Sequence, residues 1–123
     1  MRFALGILFA LHGIAHLVGF VVPWRIGKVE GAAYTTKILA GRIDLGDAGI
    51  RVFGLLWLAL AIGFAGVAVA AWTARPGWVT LAVWLALVSL VASALAWPGS
   101  KIGVPVNLAI LIVLLLGTRM RWL

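Results

Sequence analysis

Two histidines, the only two in the chain, stand four residues apart in the apolar run LHGIAHLVGF, residues 11–20. The i, i+4 spacing puts His12 and His16 on one helical face. Imidazoles so placed can share a zinc or copper ion, line a pocket for a polar-ended molecule, or hydrogen-bond across helices. The metal option is poorly supplied. A catalytic zinc takes three protein ligands, and the chain has no third histidine and no cysteine. Its three carboxylates, Glu30, Asp44 and Asp47, all lie in one loop. A single haem needs its axial histidines on opposite faces of the ring, which one helix does not provide. Metal and haem are disfavoured, with His12 and His16 as the only candidate ligands, and no cofactor is expected.

The elements that carry the pair are set by composition. Of 123 residues, 65% are hydrophobic and 11% charged, and the mean hydropathy is +1.20. Soluble domains carry roughly 25% charged residues, and a soluble fold this small has too little interior to hide so much apolar surface. The chain is expected to be an integral membrane protein. The absence of cysteine also excludes disulfides, thiolate catalysis and iron–sulfur clusters.

A span needs about 20 apolar residues, and the sequence predicts four helices, at about 3–22, 50–72, 78–97 and 103–119. Pro23 closes the first, Ala74-Arg75-Pro76-Gly77 separates the second and third, and Pro98-Gly99-Ser100 follows the third. The predicted fold is all-α: a four-helix transmembrane bundle with both termini on the same side and a longer loop, 24–49, between helices one and two. In that loop Thr36–Gly46 is expected to form a short interfacial helix or a structured loop, and Asp47 to cap the second helix. Twenty apolar residues make the first segment too long for the apolar part of a signal peptide, so it is read as a retained helix.

The net charge of +7 does not imply nucleic acid. The lysines and arginines sit at segment ends and in the loop, as in membrane proteins, and Trp24, Trp72, Trp78, Trp97 and Trp122 take interfacial positions. No nucleic-acid partner is expected. Basic residues number four on the side of the termini (Arg2, Arg75, Arg119, Arg121) and six on the other (Arg25, Lys28, Lys37, Arg42, Arg51, Lys101). That leaves orientation open.

Helix direction places the polar residues. Call the side of the termini A and the other B. His16 is one turn nearer B than His12, Ser93 and Ser89 lie one and two turns from B on helix three, and Asn107 lies one turn in on helix four. Arg51 and Trp57 lie at the B end of helix two, and Tyr34, Asp44 and Asp47 can cap that end from the loop. These residues are expected to converge in the B half, with His16 approaching Asn107. Neutral histidines bonded to Asn107, Ser89 or Ser93 would fix helix packing. Alternatively, His12, His16, Arg51, Trp57, Ser89, Ser93 and Asn107 would line a pocket for a quinone, lipid or isoprenoid. Catalysis is thinly supported, since neither serine has a GxSxG context, and Asp44 or Asp47 with Arg51 would be at most a solvated loop ion pair.

Small residues recur at helical spacing: Gly6, Ala10 and Gly13; Ala59, Gly63, Gly66 and Ala70; Ala82, Ala86, Ser89, Ser93 and Ala96. Such stripes let helices approach closely in lipid. They are expected to serve as seams of the bundle or as docking faces for a protein partner or a second copy, with membrane lipids around the rest.

The segments MRFALGILFALHGIAHLVGFVVPWR, YTTKILAGRIDLGDAGIRVFGLLWLALA (34–61) and WPGSKIGVPVNLAIL (97–111) resemble small uncharacterised bacterial four-helix membrane proteins, DoxX-like in the broad sense. The shared features are an HGxxHLxGF first helix, a GxxW second helix and a WPxxxxGxxxN start to the fourth. The resemblance implies a four-helix fold in a bacterial cytoplasmic (inner) membrane and no settled activity. It includes His12, His16, Trp57, Trp97, Pro98, Gly103 and Asn107. The 24–49 loop is longer than in DoxX-like proteins. Two functions follow as expectations. One is a non-enzymatic accessory subunit or self-associating bundle. The other is a binder of, or enzyme acting on, a small lipophilic molecule.

Overall fold

The computed structural model describes all residues, Met1–Leu123. Its elements are α1 (Arg2–His16), α2 (Val18–Val21), β1 (Lys37–Ile38), β2 (Ile43–Asp44), α3 (Gly46–Trp72), α4 (Trp78–Leu95) and α5 (Gly103–Arg119). α1 and α2 make one apolar span, Arg2–Val21. It tightens at Leu17, whose N–H bonds Ile14 O three residues back. This span, α3 and α4 are long and apolar enough to cross a membrane. α5 is apolar and shorter, 17 residues. Helices dominate because lipid offers no partner for backbone N–H and C=O groups, which a helix satisfies internally.

The helices form an antiparallel all-α bundle with both termini at end A. There the Trp72 indole, ending α3, donates to Phe3 O at 3.2 Å. α1 packs along α3, α4 along α5, and α3 against α4. Between these pairs lies a core of Phe9, Phe64, Trp78, Ile110 and Leu114. Phe9 meets Phe64 at 6.1 Å and the edge of Trp78 at 6.4 Å.

Of the three small-residue stripes, the one on α4 faces inward: Ala82, Ala86, Ser89 and Ser93 are buried. On α1, Gly6 and Gly13 are buried against α3. The α3 stripe holds only in part. Gly63 sits against Leu85 of α4 and Ala70 packs on the core, but Ala59 and Gly66 face outward, and a Cβ on Gly66 would touch nothing within 4 Å. The buried small residues of α3 are Gly54, Ala61, Ala68 and Ala71.

Of the two expectations for residues 36–46, a short helix or a structured loop, the structured loop holds, and residues 36–45 form no helix. β1 and β2 pair antiparallel, Lys37 with Asp44 and Ile38 with Ile43. At the tip Leu39, Ala40 and Gly41 all have positive φ, 52°, 55° and 84°. That turn aims two amides at the end of α4: Leu39 N–H donates to Leu95 O and Ala40 N–H to Trp97 O, both at 2.8 Å. The last carbonyls of a helix have no intrahelical donor, so the hairpin tip caps α4 and covers end B. α3 begins one turn earlier than position 50, and Asp47 is not its N-cap residue. The Gly46 N–H is taken at 3.0 Å by Asp44 Oδ1, which also accepts Thr36 Oγ1–H at 2.7 Å.

The Thr36 hydroxyl first, and the Gly46 amide after it, hold the Asp44 carboxyl below the usual carboxylate range. A depressed folded-state value stabilises above the unfolded one and is lost as pH falls. The Gly46 amide resonance in micelles should therefore shift as pH drops below about 4, and Asp44→Asn should abolish that titration.

Three helix ends close on a left-handed residue that is not glycine: Arg25, Ala74 and Arg121, with φ of 53°, 51° and 59°. Each is followed by an N–H reaching five residues back: Ile26 to Val21 O, Arg75 to Ala70 O, and Trp122 to Gly117 O. This is the Schellman closure, which normally takes glycine. A side chain in this region costs roughly 1–2 kcal/mol. Ala74→Gly is therefore expected to stabilise the protein by about 1 kcal/mol, seen as a raised melting temperature in detergent.

Candidate functional site

The polar residues predicted for the B half meet at the junction of α1, α4 and α5. The Asn107 amide orientation is fixed by its own helix, since Nδ2–H donates to Gly103 O at 2.8 Å. The second Nδ2 proton goes to Ser89 Oγ at 2.9 Å. Oδ1 therefore faces α1 and accepts from His12 Nε2–H at 3.1 Å. His16 Nδ1–H donates to the His12 carbonyl at 2.6 Å, and a carbonyl only accepts. His16 Nε2 is then left to accept the Ser89 hydroxyl proton at 2.6 Å. For neutral imidazoles every proton in this chain has one place, set by two backbone carbonyls at its ends.

The cluster is buried and walled by aromatic rings. Ser89 and Asn107 are fully buried, and His12 and His16 nearly so. Phe64 lies beneath both imidazoles, with centroids at 4.9 and 5.3 Å, and separates them from the A-half core. Trp57 covers His16 from the B side at 5.2 Å. No buried side-chain nitrogen or oxygen lacks a partner. Only His12 Nδ1 of the cluster makes no bond, so it keeps some contact with the outside of the bundle.

His12, His16, Ser89 and Asn107 are thus brought together, and His16 and Asn107 share Ser89. Trp57 joins them through packing alone. Ser93 is buried on the same seam but bonds to none of them, because Gly103 passes directly over its hydroxyl. Arg51 is not part of the cluster. It is exposed, its guanidinium lies 6.0 Å over the Trp24 ring, and its carbonyl accepts Trp24 Nε1–H at 2.9 Å. The carboxylates stay at end B, Glu30 and Asp44 in the loop and Asp47 in the first turn of α3, and do not pair with Arg51. Asp47 accepts from the Tyr34 hydroxyl and from Arg25 at 3.4 Å. No group of three histidine or carboxylate side chains comes together.

Sequence reasoning missed that three glycines carry indoles. Trp72 lies on Gly6 and Trp57 on Gly19, while Trp24 sits against Gly54. These stacks lock the α1–α2 span onto α3, and the Trp57 stack holds the lid over His16. The available signal was the pairing of a glycine near each end of helix one with a tryptophan near the opposite end of helix two.

Comparison with known proteins finds no matching protein family, no similar curated protein and no similar solved structure. Fold and site define the class without them. The chain is an integral membrane protein, an all-α four-helix bundle pinned at its centre by a hydrogen-bonded His–Ser–Asn cluster.

Proposed function

We propose that this chain is a non-enzymatic component of a bacterial cytoplasmic membrane, acting as an accessory subunit or as a self-associating bundle. The observation that carries the reading is the closure of the polar cluster. Apart from His12 Nδ1, the residues best able to do chemistry spend their side-chain donors and ring nitrogens on one another and on backbone, joining three helices. Function then falls to the surface. The small residues that α3 leaves outside, Ala59, Ala65 and Gly66, suit close docking of another helix. The bacterial setting rests on the resemblance of HGIAHLVGF and WPGSKIGVPVN to DoxX-like proteins alone.

A second reading, binding of a lipophilic alcohol or quinol, is favoured by His12 Nδ1 alone, a free acceptor near the bundle surface. The two separate in one experiment. Tagged protein is purified in mild detergent, and proteins and small molecules are identified together by mass spectrometry. The proposal expects a protein partner or a defined oligomer, retained in His12→Ala and His16→Ala despite lower stability. A small molecule carried by the wild type and lost from both histidine variants would replace it with the binding reading.

A further inference from the structure

Beyond the end of α2 the chain folds back through residues 22–34 before it enters the hairpin. A Val29–Ala32 bridge with Gly31 left-handed at φ 79° closes this segment. Between the bridge and the helix end lies a cleft of about 940 Å³. Its lining is two-sided. Val22, Val29 and Ala32 present apolar surface, and Arg25 and Lys28 present cations beside Tyr34. Its level is that of Trp24, just past the membrane-spanning segment, where headgroups meet hydrocarbon.

The cations are available in different ways. Arg25 is positioned: its backbone is fixed in the helix-closing turn, and its guanidinium stacks over Tyr34 at 4.5 Å. One of its five N–H donors is given to Asp47, at 3.4 Å and well exposed, a pairing that is weak by length and solvation. Lys28 has neither an ion pair nor a hydrogen bond to its ammonium. Glu30, two residues on, does not line the cleft and makes no ion pair. The cleft therefore holds one uncompensated positive charge and spare donor capacity against an apolar wall.

We propose that this cleft binds the phosphate of an anionic membrane phospholipid, with Arg25 and Lys28 on the phosphate and the first acyl carbons along Val22 and Val29. A free phosphate would use the cations but not the apolar wall. The site is separate from the histidine cluster and independent of what that cluster does.

Native mass spectrometry of the full chain, with phosphatidylglycerol or phosphatidylcholine of matched acyl chains, tests this. The wild type should retain phosphatidylglycerol preferentially. Lys28→Gln, which breaks no intramolecular contact, should weaken that retention about fivefold. Adding Arg25→Gln should bring it to the phosphatidylcholine level, and Lys101→Gln, on the same side but outside the cleft, should change nothing. Equal retention of the two lipids would overturn the proposal, as would wild-type retention by the double variant. Full displacement of the lipid by inorganic phosphate would make it a soluble-anion site instead.

Discussion

Asn107→Leu should be among the most destabilising single changes in the bundle, lowering the unfolding free energy by about 2–4 kcal/mol. Asn107 is fully buried and makes three hydrogen bonds. Interhelical hydrogen bonds in membranes average roughly 0.6 kcal/mol and reach about 1.7, so the bonds alone account for the lower end. The upper end comes from what remains. Leucine strands His12 Nε2–H, which has no other acceptor in the cluster, and an unpaired buried donor costs about 1–3 kcal/mol. Because leucine is close to asparagine in size, the effect is not mainly a cavity. Asn107→Asp should do no better, since it replaces a donor with an oxygen facing Gly103 O and Ser89 Oγ. Ser89→Ala should cost less, as it breaks two bonds, and Ser93→Ala close to nothing, as it breaks none. The series is measurable by denaturant titration in mixed micelles. If Asn107→Leu and Ser93→Ala unfold at the same point, the cluster does not set helix arrangement.

The contrast between Asn107 and Ser93 also shows what the sequence could and could not reveal. Four helices are legible because lipid forces backbone bonding inside each apolar run. Convergence of His12, His16, Ser89 and Asn107 is legible too, because chain direction and turn count bring all four toward the B half. Depth is not facing, however. Arg51 and Ser93 lie at the right level, yet the first points out over Trp24 and the second sits under Gly103. Half of the α3 stripe, Ala59 and Gly66, fails for a related reason. In a membrane both the interior of a bundle and its surroundings are apolar, so no polarity contrast tells Ala59 and Gly66 from Ala61 and Ala68. The hairpin was hidden for a different cause. Its strands are two residues long, and its tip conformation answers to the free carbonyls of Leu95 and Trp97 rather than to any local pattern.

Gly19→Ala should cost about 2–3 kcal/mol, at the upper end of overpacking penalties, although it adds one methyl to a helix in lipid. The methyl would occupy the space of the Trp57 indole, with Cδ1 only 2.7 Å away. Trp57 is 6% exposed and hemmed in by Phe53 at 5.9 Å and His16 at 5.2 Å. It has far less room to move than an exposed ring. Gly6→Ala makes an overlap of the same kind with Trp72, but that ring is 37% exposed at end A and can swing toward the headgroups. Its cost should be about 1 kcal/mol, the lower end of the same range. The difference between two chemically identical substitutions is the informative quantity, since helix propensity favours alanine equally at both sites. Two further readouts bind the effect to the lid. Trp57→Leu should restore much of the stability of Gly19→Ala, giving a favourable coupling in the double-mutant cycle. The displaced indole should also press on His16 and disturb its bond to Ser89, visible as shifted imidazole resonances for His16 with Gly6→Ala as the silent control. Equal losses at the two glycines, with no rescue by Trp57→Leu, would mean that the indole is free to move, and the wall it makes over the histidine cluster would not be rigid.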